Sequence, residues 1–158
     1  MNEFKVFPIG TIENSNEEVR IVLDSKYRSG LKGLEGYGHV QVIWWAGQCD
    51  NETDRSTVTE VKPYKNGPDE IGVFALRSPE RPNPIAVSNV DIAYVDAKGG
   101  IIGLYYIDAF DGTMVLDLKP YTPSIDRIEN PKVPQWCSHW PKSYEESDSF
   151  DWEAEFNF

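Results

Sequence analysis

The sequence predicts a mainly β protein, an antiparallel barrel or sandwich with few short helices and an extended C-terminal arm. Three observations predict it. Apolar runs of strand length recur from residue 4 to residue 118, punctuated by Gly, Pro, Asn and Asp. No long segment sustains the 3.6-residue apolar period of an amphipathic helix. Beyond Pro123 the pattern changes to prolines and large aromatic residues.

In order, residues 4–12, 19–23, 40–45, 57–61, 71–76, 85–95, 101–107 and 114–118 read as strands. Residues 57–61 and 114–118 alternate polar and apolar side chains, as half-buried strands do. Residues 25–34 predict a helical turn ahead of Gly36 and Gly38. Lys98-Gly99-Gly100, between two apolar runs, predicts a hairpin, because glycine accepts the positive φ of a tight connection. Closing such strands into a barrel would also remove exposed edges.

The arm follows. Pro131, Pro134 and Pro141 forbid continuous helix, while Trp136, Trp140, Trp152, Phe156 and Phe158 offer large apolar surfaces. These suit packing either on the chain's own barrel or across a dimer. Ser143 is placed to cap a short helix, with Glu145 and Glu146 in its favourable first turn.

At 158 residues the chain supports one domain with a sizeable core. Its 40% hydrophobic and 13% aromatic content argues against global disorder. The net charge is −11, and residues 143–158 supply more than half of it, with six acidic and no basic side chains. No Lys/Arg-rich run is present, which weighs against broad nonspecific nucleic-acid binding. A local groove built from Arg55, Lys62, Lys65, Arg77 and Arg81 stays open. No stretch approaches the roughly 20 apolar residues of a membrane span, and the first residues lack a secretory apolar core. The expectation is a cytoplasmic protein without membrane partners. Two cysteines, Cys49 and Cys137, are too few for a disulfide scaffold. Cys137-Ser138-His139 lacks the paired local spacing of a zinc site, so no metal is expected, and His39 suits fixing its own turn.

Two segments carry polar chemistry. Arg77-Ser78-Pro79-Glu80-Arg81-Pro82-Asn83-Pro84 holds three prolines in eight residues and forms a stiff loop that loses little entropy on presenting Arg77, Arg81 and Asn83. Its arginines suit either a polar ligand or the loop's own carbonyls. In Asp108-Ala109-Phe110-Asp111-Gly112-Thr113, Asp111-Gly112 is a turn signal, and a carboxylate there suits ribose hydroxyls or an amino group. Lys119 and Tyr121 follow at the end of the next strand.

Together, in this order, the segments resemble the TsaA/TrmO family, whose pattern reads roughly Gly-Val-Phe-Ala-x-Arg-Ser-Pro-x-Arg-Pro-Asn-Pro-Ile-Gly-Leu-Ser, then Asp-Leu-Leu-Asp-Gly-Thr-Pro-Val-Leu-Asp-Ile-Lys-Pro-Tyr. Residues 72–88 and 108–121 match it, and residues 31–39 resemble the segment before the family's first core strand. Ala86, Ala109-Phe110, Met114, Gly47 and residues 13–17 depart from it.

The resemblance implies a small single-sheet β-barrel, residues 1–123, followed by the arm, residues 124–158. It implies a homodimer and a bound S-adenosylmethionine. No Gly-x-Gly-x-x-Gly follows a strand, so a Rossmann-like cofactor site is not expected. By position, Gln48, Arg77, Val87, Asp108, Ala109, Phe110 and Asp111 would contact the cofactor. Arg81 and Asn83 would contact substrate, and Asp117, Lys119 and Tyr121 would be catalytic candidates. The implied activity is methylation of the exocyclic nitrogen of threonylcarbamoyl-adenosine beside the tRNA anticodon. Methylation of a small molecule in the same pocket and non-enzymatic S-adenosylmethionine sensing are the alternatives.

Overall fold

The computed structural model describes residues 2–158. Six strands close into one barrel: β1 (Gly10–Asn14), β2 (Val19–Leu23), β3 (His39–Trp45), β6 (Ile85–Asp96), β7 (Ile101–Leu104) and β8 (Met114–Pro120). Their order around the barrel is β1-β2-β7-β6-β3-β8, with antiparallel pairing throughout. The expected single-sheet barrel is therefore present.

The barrel closes over the inward residues of each strand. Ile12, Ile21, Val40, Val42, Ile102 and Val115 are fully buried, and Leu31 plugs the core from the 3-10 turn Ser25–Leu31. Each such side chain contributes roughly 1.5–3 kcal/mol on leaving water. β-branched residues dominate because they suit a pleated, half-buried surface.

Twelve-residue β6 is the longest strand and carries two ladders, with Ile85 to Asp91 on β3 and Ile92 to Asp96 on β7. Its register with β7 slips between Ile92 and Tyr94, and the register of β3 with β8 slips between Ile43 and Trp44. Such irregularities bend strands sharply enough to close a small barrel. At the bend Tyr94 lies so close over Gly103 that any side chain there would collide with its ring. The β6–β7 hairpin is capped by Asp96, whose Oδ1 accepts from the Lys98 and Gly99 amides at 3.1 and 2.9 Å.

Three expectations are corrected. Residues 2–8 pair with no strand and Phe4 and Phe7 are exposed, whereas Ile9 N donates to the Val115 carbonyl at 2.8 Å. Of residues 71–76, only the start is strand, because β5 (Glu70–Gly72) gives way to the 3-10 turn Val73–Ala75. Finally, β4 (Thr59–Val61) and β5 form a two-stranded ribbon apart from the barrel. Across residues 57–61 the apolar side chains do not face inward: Val58 and Val61 are exposed and Glu60 is the half-buried residue of β4.

The helices are single turns: α1 (Glu52–Arg55), α2 (Pro123–Asp126), α3 (Tyr144–Ser147) and α4 (Trp152–Glu155). Ser143 caps α3 as expected, its side chain accepting from the Glu146 amide. The arm folds back onto its own chain. Tyr64 and Phe156 form an antiparallel bridge, Lys65 N donates to the Glu155 carbonyl at 2.9 Å, and Asn157 N donates to the Pro63 carbonyl at 3.0 Å. Glu155 is buried, its Oε1 2.7 Å from His139 Nε2 and its Oε2 accepting from Trp140 Nε1 at 3.0 Å. These two hydrogen bonds, led by that of His139, hold its carboxyl below the ordinary carboxylate range.

Candidate functional site

The stiff loop 77–84 and the turn 108–111 meet at one cavity of about 750 Å³. Arg77, the backbone around Val87, and Asp108, Ala109, Phe110 and Asp111 line it, with Gln48 from the 3-10 turn Gly47–Cys49. All seven residues expected at a cofactor site thus border one space.

The geometry follows from local chemistry. Arg77 Nη2 donates to the Val87 carbonyl at 2.8 Å, tying the loop to β6 while leaving the rest of an exposed guanidinium free. Gly112, at φ 79°, lets the chain reverse after Asp111, and Thr113 N closes the turn on the Phe110 carbonyl at 3.2 Å. Asp111 Oδ1 accepts from Asn14 N at 2.9 Å, and Asn14 Nδ2 donates to the Ala109 carbonyl at 2.8 Å. Asn14 therefore sets the turn's position from the end of β1. No local pattern announces this role, since its partners lie nearly a hundred residues away. Trp44, whose Nε1 donates to Ser88 Oγ at 3.0 Å, and Tyr106 complete walls that sequence reasoning missed.

Burial, then the nearby Asp108 charge, raises the Tyr106 hydroxyl pKa, and burial raises that of the Cys49 thiol. Both remain protonated near neutrality, so Cys49 is no thiolate nucleophile. The Arg55 hydrogen bond to Asp50 at 2.8 Å holds that carboxyl low and braces the Trp45 side of the cavity. Among the described residues no group of His, Cys, Asp or Glu suits a metal ion. None of the described helices is long and apolar enough to cross a membrane.

The other expected residues fall elsewhere. Arg81 donates to the carbonyls of Val73 at 2.8 Å and Ser78 at 3.1 Å, with longer bonds to Leu76, so it braces the loop from within. It also borders an outer cavity with Gln41 and Asn89. Asn83 is exposed at the loop's turn, its carbonyl accepting from Ile85 N. Asp117 and Lys119 pair with each other at 2.9 Å and border a separate cavity of about 260 Å³ near Tyr27 and Leu34. Tyr121 lies edge-on to His39, whose Nε2 is 2.8 Å from Asp91 Oδ1. Within one chain, the three catalytic candidates do not reach the large cavity.

Residues 2–127 match the family described as the tRNA-methyltransferase O N-terminal domain. A probable S-adenosyl-L-methionine-binding protein of Archaeoglobus fulgidus is 36% identical over 119 residues, 75% of this chain and 30% of that one. The tRNA (adenine(37)-N6)-methyltransferase of Escherichia coli is 34% identical over 75% of this chain and 51% of its own length. The crystal structure of TrmO from Pseudomonas aeruginosa superposes with a TM-score of 0.64 at 27% identity, covering 83% of this chain and 61% of that one. This chain thus spans between about a third and two thirds of the length of these relatives.

Proposed function

The chain belongs to the family of the tRNA-methyltransferase O N-terminal domain, and from that premise we propose that it binds S-adenosylmethionine and methylates an adenosine nitrogen in tRNA. The observation that carries the reading is the convergence of loop 77–84 and turn 108–111 on one 750 Å³ cavity. Its lining fits the cofactor's chemistry. Arg77 suits a carboxylate, Asp108 and Asp111 suit an ammonium group or ribose hydroxyls, and exposed Phe110 suits a flat base. When bound, the cofactor supplies an electrophilic methyl whose C–S bond breaks as the nitrogen lone pair attacks, leaving a neutral thioether and one proton to remove. The protein's work is then to hold the acceptor in line and exclude water. The acceptor we propose is the exocyclic nitrogen of threonylcarbamoyl-adenosine beside the anticodon, a cytoplasmic substrate.

We also propose a homodimer that brings Asp117, Lys119 and Tyr121 of one copy toward the cavity of the other, for binding or proton removal. Ile43, Val87 and Ile85 support this. They form an apolar strip on the outer face of β3 and β6 between Asp117 and the Arg77 loop, with Ile85 39% and Val87 41% exposed. A two-fold axis through that strip sets each side of it against the other.

Calorimetric titration with S-adenosylmethionine tests the cofactor claim. Arg77→Ala should weaken binding by about tenfold or more through loss of a charge-assisted contact, and unchanged affinity would remove Arg77 from the site. Labelled methyl transfer to bulk tRNA tests the acceptor. At an S-adenosylmethionine concentration where neither variant alone is active, mixing Arg77→Ala and Lys119→Ala chains should restore activity toward about a quarter of wild type, because a mixed dimer keeps one intact site. No restoration would sink the shared site. A second reading, binding without transfer, is favoured by the mutual pairing of Asp117 and Lys119 away from the cavity. Binding with no transfer to tRNA or to a metabolite extract would select it.

A further inference from the structure

We propose that the arm builds the acceptor's pocket, a π-stacking wall that seats a planar nucleobase against the cofactor cavity. This rests on the methyl-transfer reading above. A second cavity of about 750 Å³ lies between the arm and the chain beneath it, walled by Tyr64, Trp136, Trp140, Trp152 and Phe156. Arg77 and Asp108 border it too, and the same two side chains border the cofactor cavity. The two spaces therefore adjoin at a shared polar pair.

The wall is built for flat guests. Tyr64 stacks on Trp136 at 5.2 Å and on Phe156 at 5.6 Å, both 29° from parallel, and Trp140 meets Tyr64 and Trp136 edge-on. The rings pack on one another, Tyr64 meeting both Trp136 and Phe156, but they do not fill the space beside them. Here half-buried rings still face a space large enough for a nucleoside. The wall is also held in place, by the Glu155 contacts to His139 and Trp140 and by the bridge between Phe156 and Tyr64.

The charge pattern selects the occupant. Residues 143–158 carry six acidic and no basic side chains, so phosphate is not drawn to this part of the arm. An uncharged heterocycle extruded from its strand is the guest that aromatic rings accept. At the shared rim, Asp108 can accept from an exocyclic amino group and Arg77 can donate to a ring nitrogen or carbonyl. The arm beyond residue 127 lies outside the matched family segment, and it meets Tyr64, Arg77 and Asp108 from within that segment.

The test measures binding of a fluorescein-labelled anticodon stem-loop RNA by anisotropy, alongside calorimetry with S-adenosylmethionine, on the full chain. Trp136→Leu keeps apolar bulk and removes the stacking face. It should weaken RNA binding roughly tenfold, raise KM for tRNA similarly, and leave cofactor affinity and sedimentation unchanged. Trp136→Phe should restore binding. Equal RNA affinity in wild type and Trp136→Leu would overturn the proposal. Equal losses for Leu and Phe would reduce the wall to packing and overturn it too, and altered sedimentation would assign the surface to a second copy instead. Failure of the wild type to bind S-adenosylmethionine would sink the cofactor reading alone, since the RNA measurement needs no cofactor.

Discussion

The barrel closes over aliphatic side chains wholly removed from water, Ile12, Ile21, Val42, Ile102 and Val115 among them, whereas the arm is assembled from half-buried rings around one buried carboxylate, Glu155. The first depends on volume and register, which aqueous conditions barely alter. The second depends on directional contacts between His139, Trp140 and Glu155, which solution conditions do alter. The difference teaches where this molecule is adjustable: a fixed barrel presents loop 77–84 and turn 108–111, and a conditional arm covers one side of them.

The strongest test of that contrast is Ile21→Ala, which should cost about 2–5 kcal/mol as transfer and cavity losses add. Denaturant unfolding should show the arm melting with the barrel or before it, because the arm has no surface to fold on without the ribbon and loop. An arm that kept its structure after the barrel melted would break the comparison. Arg81→Ala comes next, at roughly 1.5–3 kcal/mol from charge-assisted bonds to loop carbonyls. Amide exchange should quicken in residues 73–83, with a parallel loss of cofactor affinity as Arg77 loosens; exchange confined to the arm would contradict the assignment.

Glu155→Gln should leave the barrel's unfolding midpoint in place and quicken exchange only in residues 135–157. The same contact has a pH sign. Because the Glu155 pKa is depressed below 4.5 in the fold, its contribution is fully present above the unfolded value and is lost as pH falls through the folded one. Acid titration at pH below about 4.5 should therefore release the arm in wild type, and the Gln variant should lack that step. Ser143→Ala is the smallest change, about 0.5–1 kcal/mol from one lost cap, and should be read as faster exchange at Glu146 alone.

Much of this architecture was legible because strands half-buried against one core alternate visibly. Residues 19–23 form β2 with the expected bounds, and 85–95 and 114–118 differ from β6 and β8 only at their ends. Residues 57–61 and 71–76 carried the same signal yet joined a ribbon, since partner choice is a long-range matter. Residues 4–8 had strand composition but no partner. At the site, motif order brought Arg77 and 108–111 to notice, and the structure puts them on one cavity. Asn14 was invisible, because its role exists only once β1 meets the 108–111 turn. Arg81 was ambiguous for a related reason: a guanidinium's partners are set by the fold of its loop.

The seam between β1 and β8 gives the barrel a preferred place to breathe. Only Gly10 and Thr11 pair in register there, against Val115 and Met114, while β3 and β6 pair along seven residues. Beyond those pairs the seam continues as isolated bonds, Ile12 N to the Thr113 carbonyl and Gly112 N to the Ile12 carbonyl, and ends at Asn14 and Asp111. Local opening follows the weakest pairing, so this line unzips before the others and reaches the 108–111 turn as it does. A ligand gripping residues 108–111 would act as a clasp on the barrel's closing edge, slowing amide exchange at residues 10–14 as well as at the turn it touches.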